Sequence, residues 1–130
     1  FFLDLDYFKN INDTYGHDAG DEALIIFSER LKESIRAEDT LARMGGDEFM
    51  IIIEDHIKPN TSSVVAQKIL DAMKEPVTLG DDTFNLSTSI GISFYSKDGT
   101  GASELMKAAD LAMYDAKQGG RGNFKFYNSK

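Results

Sequence analysis

Apolar and polar positions alternate from the first residue of the chain. Phe1, Leu3 and Leu5 fall on one side and Phe2, Asp4 and Asp6 on the other, so a period of two with aromatics predicts a strand over 1–8. Because the apolar side opens at Phe1, that strand is expected to begin upstream. The stretch 10–20 is polar and punctuated by glycine, a short helix or a loop. From Asp21 onward Leu24, Phe27, Leu31 and Ile35 recur at three and four, an amphipathic helix ending near Arg36. Strands follow at 40–44 and 49–54, joined by Gly45-Gly46-Asp47-Glu48; tight hairpins need positive φ, which glycine supplies. A helix over 62–75 carries Val65, Ile69 and Met73 and stops at Pro76. Strands are expected at 77–79 and 83–95 around the turn Gly80-Asp81-Asp82. Ser103 is placed to cap a helix bearing Leu105, Met106, Ala109, Ala112, Met113 and Ala116, which Gly119-Gly120 ends. A last strand is predicted over 123–127.

The order is roughly βα-ββ-α-ββ-αβ. It predicts an α+β fold with one mainly antiparallel sheet and helices packed on it, in a single domain over 1–130. No repeat, low-complexity tract or linker interrupts it.

Charge narrows the chemistry. Fourteen Lys and Arg against 22 Asp and Glu leave a net −8, the opposite of the basic stripe that binds duplex nucleic acid. With no Cys, a disulfide framework, a thiolate zinc site and a Cys nucleophile are excluded. Apolar runs such as 23–27 and 50–53 are far shorter than the roughly 20 residues of a membrane span. No signal peptide is visible, and an opening Phe1 in place of Met reads as a piece of a longer protein.

Three acids stand out: Asp4 on the first strand, and Asp47 and Glu48 at the hairpin. If the hairpin lies beside the first strand, Asp4 and one of the pair converge. Converging carboxylates repel unless a hard cation sits between them, and oxygen ligands suit Mg²⁺ or Mn²⁺. The bland alternative makes Asp47 and Glu48 solvated turn residues.

Gly45-Gly46-Asp47-Glu48-Phe49 spells the GGDEF signature, and three further blocks stand in register with it: Leu3 to Leu24, Leu86 to Ser93, and Ala109 to Asn123. Over essentially its whole length the chain resembles the GGDEF diguanylate cyclase family. The resemblance implies a five-stranded, mostly antiparallel sheet flanked by helices, similar to nucleotidyl cyclases and the polymerase palm. It implies condensation of two GTP into cyclic di-GMP and two pyrophosphates across a homodimer, with two Mg²⁺ or Mn²⁺ ions per active half-site. By that likeness Asp4, Asp47 and the main-chain carbonyl of Leu5 are metal ligands, and Glu48 is general base or a further ligand. Asn12 and Asp21 match the guanine-binding positions; an adenine edge offers no donor pair to a carboxylate there. Tyr7, Phe8 and Lys9, with Gly45 and Gly46, match the part that receives the phosphates. Lys117 and Arg121 match the pair that closes over them. Each also has a plainer reading: Asp21 at a helix N-terminus, Asn12 in a turn, and two cations at a helix C-terminus.

Five residues separate Arg36-x-x-Asp39 from Gly45, the spacing of the family's inhibitory product site, with Lys68 as an extra cation; alternatively Arg36 pairs with a neighbouring acid at a helix end. His17 and His56, the latter expected in a loop, have no paired spacing, which argues against zinc. Two departures stand out: Gly122 replaces an Asn, and the family's upstream helix is absent. Later blocks resemble cyclase domains fused to an EAL phosphodiesterase domain. The expected parent is a cytoplasmic or membrane-anchored signalling protein with a sensor upstream. Three functions compete: an active cyclase, a silent GTP- or cyclic di-GMP-binding regulator of an attached phosphodiesterase, and a plain interaction module.

Overall fold

The computed structural model describes residues 1–54 and 61–128; His56 lies outside them. The elements are β1 (Phe2–Leu5), α1 (Phe8–Tyr15), α2 (His17–Ser34), β2 (Thr40–Gly45), β3 (Glu48–Ile52), α3 (Thr61–Ala72), β4 (Val77–Leu79), β5 (Asp82–Phe84), β6 (Thr88–Ile92), α4 (Ala102–Gln118) and β7 (Phe124–Phe126). Five strands form one sheet in the order β2-β3-β1-β6-β7. Every pairing in it is antiparallel except β6 with β7. The α+β architecture expected from the element order is the one observed.

Strand β1 is central and buried on both faces. Leu3 and Leu5 join Phe27, Leu31, Phe49, Ile51, Ile69 and Ile90 in the larger core beneath α2 and α3. There the Phe27 and Phe49 rings meet edge to face at 5.2 Å. On the opposite face Phe2 packs against Ala109 and Met113 of α4. Gly91, paired with Phe2 across the β1–β6 ladder, lets α4 settle directly on the sheet. A Cβ at Gly91 would run into the Ala109 carbonyl and the Met113 backbone.

Four expectations are corrected. The first strand ends at Leu5, because Tyr7 turns left-handed (φ 60°) to start α1. The helix expected from Asp21 starts four residues earlier, at His17 after Gly16 (φ 95°), and the helix-or-loop stretch before it is helical, with α1 turning Phe8, Ile11 and Tyr15 towards the core. The strand expected over 83–95 is two strands in different sheets. Strand β5 pairs with β4 in a separate two-stranded sheet, while Phe84 stacks on Tyr15 at 4.8 Å. Ser103 does not cap α4; Gly101 holds the N-cap position without a side-chain bond. The Glu104 carboxylate instead accepts from the Thr100 N–H at 3.4 Å.

Candidate active site

The hairpin between β2 and β3 delivers two of the three acids to the end of β1. Gly45 (φ 142°) and Gly46 (φ 51°) take backbone conformations that side chains resist. The Arg43 Nε donates to the Gly46 carbonyl at 2.9 Å and braces the turn. Asp4 then stands directly opposite Glu48 in the antiparallel β1–β3 pair. The Leu5 N–H donates to the Asp47 carbonyl at 3.2 Å. Opposed residues of such a pair project from one face of the sheet, the face that α4 covers. Asp4 is buried, Asp47 half-buried and Glu48 exposed.

Helix α4 brings a cation to the same point. Ala109, Met113 and Lys117 share one stripe at a spacing of four. With Met113 seated on Phe2, Lys117 reaches two residues further along β1 and ion-pairs with Asp4 Oδ2. Asp4 Oδ1 is buried and has no hydrogen-bond partner among the described residues. Burial pushes the Asp4 carboxyl above its usual range, against the opposing pull of Lys117; the charges of Asp47 and Asp6 push the same way as burial. An anion so placed favours a second cation. Among the described residues no three acidic, His or Cys side chains form a cage for a metal. The donor set of two or three carboxylates and a main-chain carbonyl suits Mg²⁺, which keeps waters and takes phosphate oxygens for its remaining positions.

The β1–α1 turn follows directly on Leu5. The first helical bond of α1 runs from the Ile11 N–H to the Tyr7 carbonyl at 3.1 Å, so the amides of Phe8, Lys9 and Asn10 precede it. Such first-turn amides suit an anion. Lys9 is exposed beside them. Arg121, itself left-handed (φ 64°) between Gly120 and Gly122, lies over the Tyr7 ring at 4.9 Å.

Asn12 and Asp21 come together through helix packing. The Asn12 side chain rests on Gly20, where any Cβ would overlap its Oδ1, and Asp21 is the next residue of α2. Asp21 also borders a cleft of about 470 Å³ shared with Leu24, Ile25, Ser28 and Arg43.

Arg36 and Asp39 sit apart, between α2 and β2. The Asp39 carboxylate, 1% exposed, accepts from the Arg36 N–H at 3.0 Å and the Glu54 N–H at 3.3 Å. The Arg36 Nε lies 3.6 Å from Glu38 and 3.8 Å from Asp39. Lys68 is exposed on α3.

One acid escaped the sequence reading. Asp6, buried, accepts from Ser87 Oγ and Ser89 Oγ at 2.7 Å each and from the Gly122 N–H at 3.1 Å, with Arg121 at 3.6 Å. The only signal was the D-x-D alternation, which sets Asp6 on the side of Asp4.

Comparison with known proteins shows the family and the fold. The family profile described as "Diguanylate cyclase, GGDEF domain" matches residues 1–123. The bifunctional diguanylate cyclase/cyclic di-GMP phosphodiesterase MucR of Pseudomonas aeruginosa is 44% identical over 128 residues, covering 98% of this chain and 18% of that protein. The cyclic di-GMP phosphodiesterase NbdA of the same organism is 42% identical over 127 residues, covering 98% of this chain and 16% of that protein. The chain thus spans less than a fifth of the length of these curated relatives. Among solved structures, the GGDEF domain of TpbB from Pseudomonas aeruginosa superposes with a TM-score of 0.95 at 35% identity, covering 99% of this chain and 81% of that one.

Proposed function

The chain belongs to the GGDEF diguanylate cyclase domain family, and from that premise we propose that it joins two GTP molecules into cyclic di-GMP, releasing two pyrophosphates. The observation that carries this reading is the meeting of Asp4 and Glu48 across β1 and β3, with a buried Asp4 oxygen that has no partner among the described residues and Lys117 alongside. In this reading Asp4, Asp47, the Leu5 carbonyl and Glu48 hold Mg²⁺ or Mn²⁺, two ions per half-site. When bound, the ions neutralise phosphate charge and favour ionisation of a 3′-hydroxyl. The chain's own groups do the rest. Lys9, Lys117, Arg121 and the amides of Tyr7 and Phe8 receive the phosphates. Asp21 and Asn12 take the donor edge of guanine, which selects GTP over ATP. Glu48, exposed at the hairpin, accepts the proton of the attacking 3′-hydroxyl or joins the ligand set. Each of two subunits presents one GTP, and each 3′-hydroxyl attacks the other's α-phosphate.

Two assays test this. Incubation with GTP and Mg²⁺ or Mn²⁺, followed by chromatography, should yield cyclic di-GMP. The Glu48→Gln variant should bind GTP like the parent by calorimetry and lose turnover by about a hundredfold or more, the range for a removed general base. Turnover at the parental rate would refute the role of Glu48.

The naming of NbdA as a phosphodiesterase favours a second reading, in which the domain binds GTP or cyclic di-GMP and controls an attached EAL domain in a cytoplasmic part of a larger protein. GTP binding without any product would select it. Product inhibition is proposed for Arg36, whose side chain is 47% exposed, with Asp39 fixing the turn beneath it. Arg36→Ala should weaken cyclic di-GMP binding about tenfold, the loss expected of one charged hydrogen-bonded contact. An unchanged isotherm would remove the inhibitory site.

A further inference from the structure

We propose that Asp6 is a positioning residue, which from inside the protein ties the Gly120–Gly122 turn and the Arg121 guanidinium to the β1–α1 turn. The inference rests on the reading of Arg121 as a phosphate contact and adds what holds it there. The Asp6 side chain is wholly buried, where a lone carboxylate would be strongly disfavoured. Its donors all come from distant parts of the chain. Oδ1 accepts from Ser89 Oγ at 2.7 Å and faces the Arg121 guanidinium at 3.6 Å. Oδ2 accepts from Ser87 Oγ at 2.7 Å and the Gly122 N–H at 3.1 Å.

The backbone explains why such an anchor is needed. Gly120, Arg121 and Gly122 all carry positive φ (113°, 64° and 58°). At Arg121 that conformation is disfavoured for a residue with a side chain, so it persists only where its surroundings fix it. Asp6 fixes the turn from one side, and Asn123 fixes it from the other, donating from Nδ2 to the Arg121 and Ala116 carbonyls at 2.9 and 3.0 Å. Tyr7, the residue after Asp6, is also left-handed (φ 60°) and offers its ring to Arg121 at 4.9 Å. One carboxylate therefore couples the turn that opens α1 to the turn that follows α4. A guanidinium has five N–H donors; with one side towards Asp6 and one face on the ring, Arg121 is oriented and still has donors for a ligand.

The test is a double-mutant cycle on Mg²⁺–GTP affinity, measured by calorimetry in the unmodified chain, Asp6→Asn, Arg121→Ala and the double variant. Thermal melts run alongside. Asp6→Asn keeps the volume and removes the charge. We expect Arg121→Ala and Asp6→Asn each to weaken GTP binding about tenfold, and the double variant to bind no worse than Arg121→Ala alone, as for residues acting as one unit. Parental affinity in Asp6→Asn, or losses that multiply in the double variant, would overturn the proposal. A purely structural role would lower the melting temperature without this non-additivity. If Asp6→Asn does not fold, Ser89→Ala takes its place: it removes one anchor and should weaken GTP binding several-fold, an effect absent when Arg121 is already Ala. Additive losses there overturn the proposal equally. An unmodified chain that fails to bind GTP fells the cyclase reading itself, whereas binding with an indifferent Asp6→Asn fells the Asp6 proposal alone.

Discussion

Asp4 sits where its negative charge is resisted by burial and by two neighbouring acids, and relieved by one lysine. Its carboxyl is therefore held above the usual value of 3.8, so the folded protein binds that proton more tightly than the unfolded chain. The stability this contributes is complete below the unfolded value and is lost as pH rises through the folded one. At neutral pH, without a divalent cation, the ionised group is a liability. Asp4→Asn should accordingly melt a few degrees higher than the parent in chelator at pH 7. The gap should shrink as pH falls towards 4, as melts across that range will show. A variant melting lower throughout would mean that the Lys117 pair outweighs burial. Asp4, Asp47 and Glu48 were legible in the sequence because a strand and a glycine turn are local patterns. Asp6 was not: alternation sets it beside Asp4, and nothing nearby announces that Ser87, Ser89 and Gly122 will supply its donors. At Asp39 the spacing to Arg36 is local and legible, while the long-range acceptance of the Glu54 N–H, beside that of Arg36, is not.

Among the elements, length decides how firmly a buried stripe can be read. Helices α2, α3 and α4 each bury a periodic face over three turns or more, whereas α1 has eight residues and one buried side chain, too few turns to separate a short helix from a loop. The run 83–95 looked continuous because strand propensity does not say which partner a strand will find. Two glycines govern how the helices sit, and they should respond differently to alanine. At Gly20 helix propensity favours Ala by about 1 kcal/mol, and the obstacle is the movable end of Asn12. Gly20→Ala should therefore keep its melting temperature and lose GTP affinity about tenfold, roughly one hydrogen bond. At Gly91 the obstacle is the backbone of α4, which cannot yield alone. Gly91→Ala should destabilise the fold by ~1–3 kcal/mol in denaturant melts. Equal effects on stability and binding in the two variants would contradict this division.

The molecule as a whole is acidic, with a net charge of −8, and the proposed reaction needs two copies face to face. Like charge slows that encounter, and salt screens it over about 10 Å at 0.1 M. Turnover per subunit should thus rise with protein concentration and, in the dilute range, with moderate salt. A specific activity independent of both, measured by chromatography of the product at concentrations where sedimentation shows monomers, would rule out reaction across subunits. The α+β class was readable from element order alone, while the parallel β6–β7 pairing and the split into two sheets depended on contacts that no local pattern encodes. The ion pair between Lys117 and Asp4 spans 113 residues of sequence. Contacts so distant along the chain form late, because closing the intervening loop is entropically slow. A ribosome making this protein holds β1 in the open long before α4 emerges, so the proposed nucleotide site comes into being only once α4 has been made.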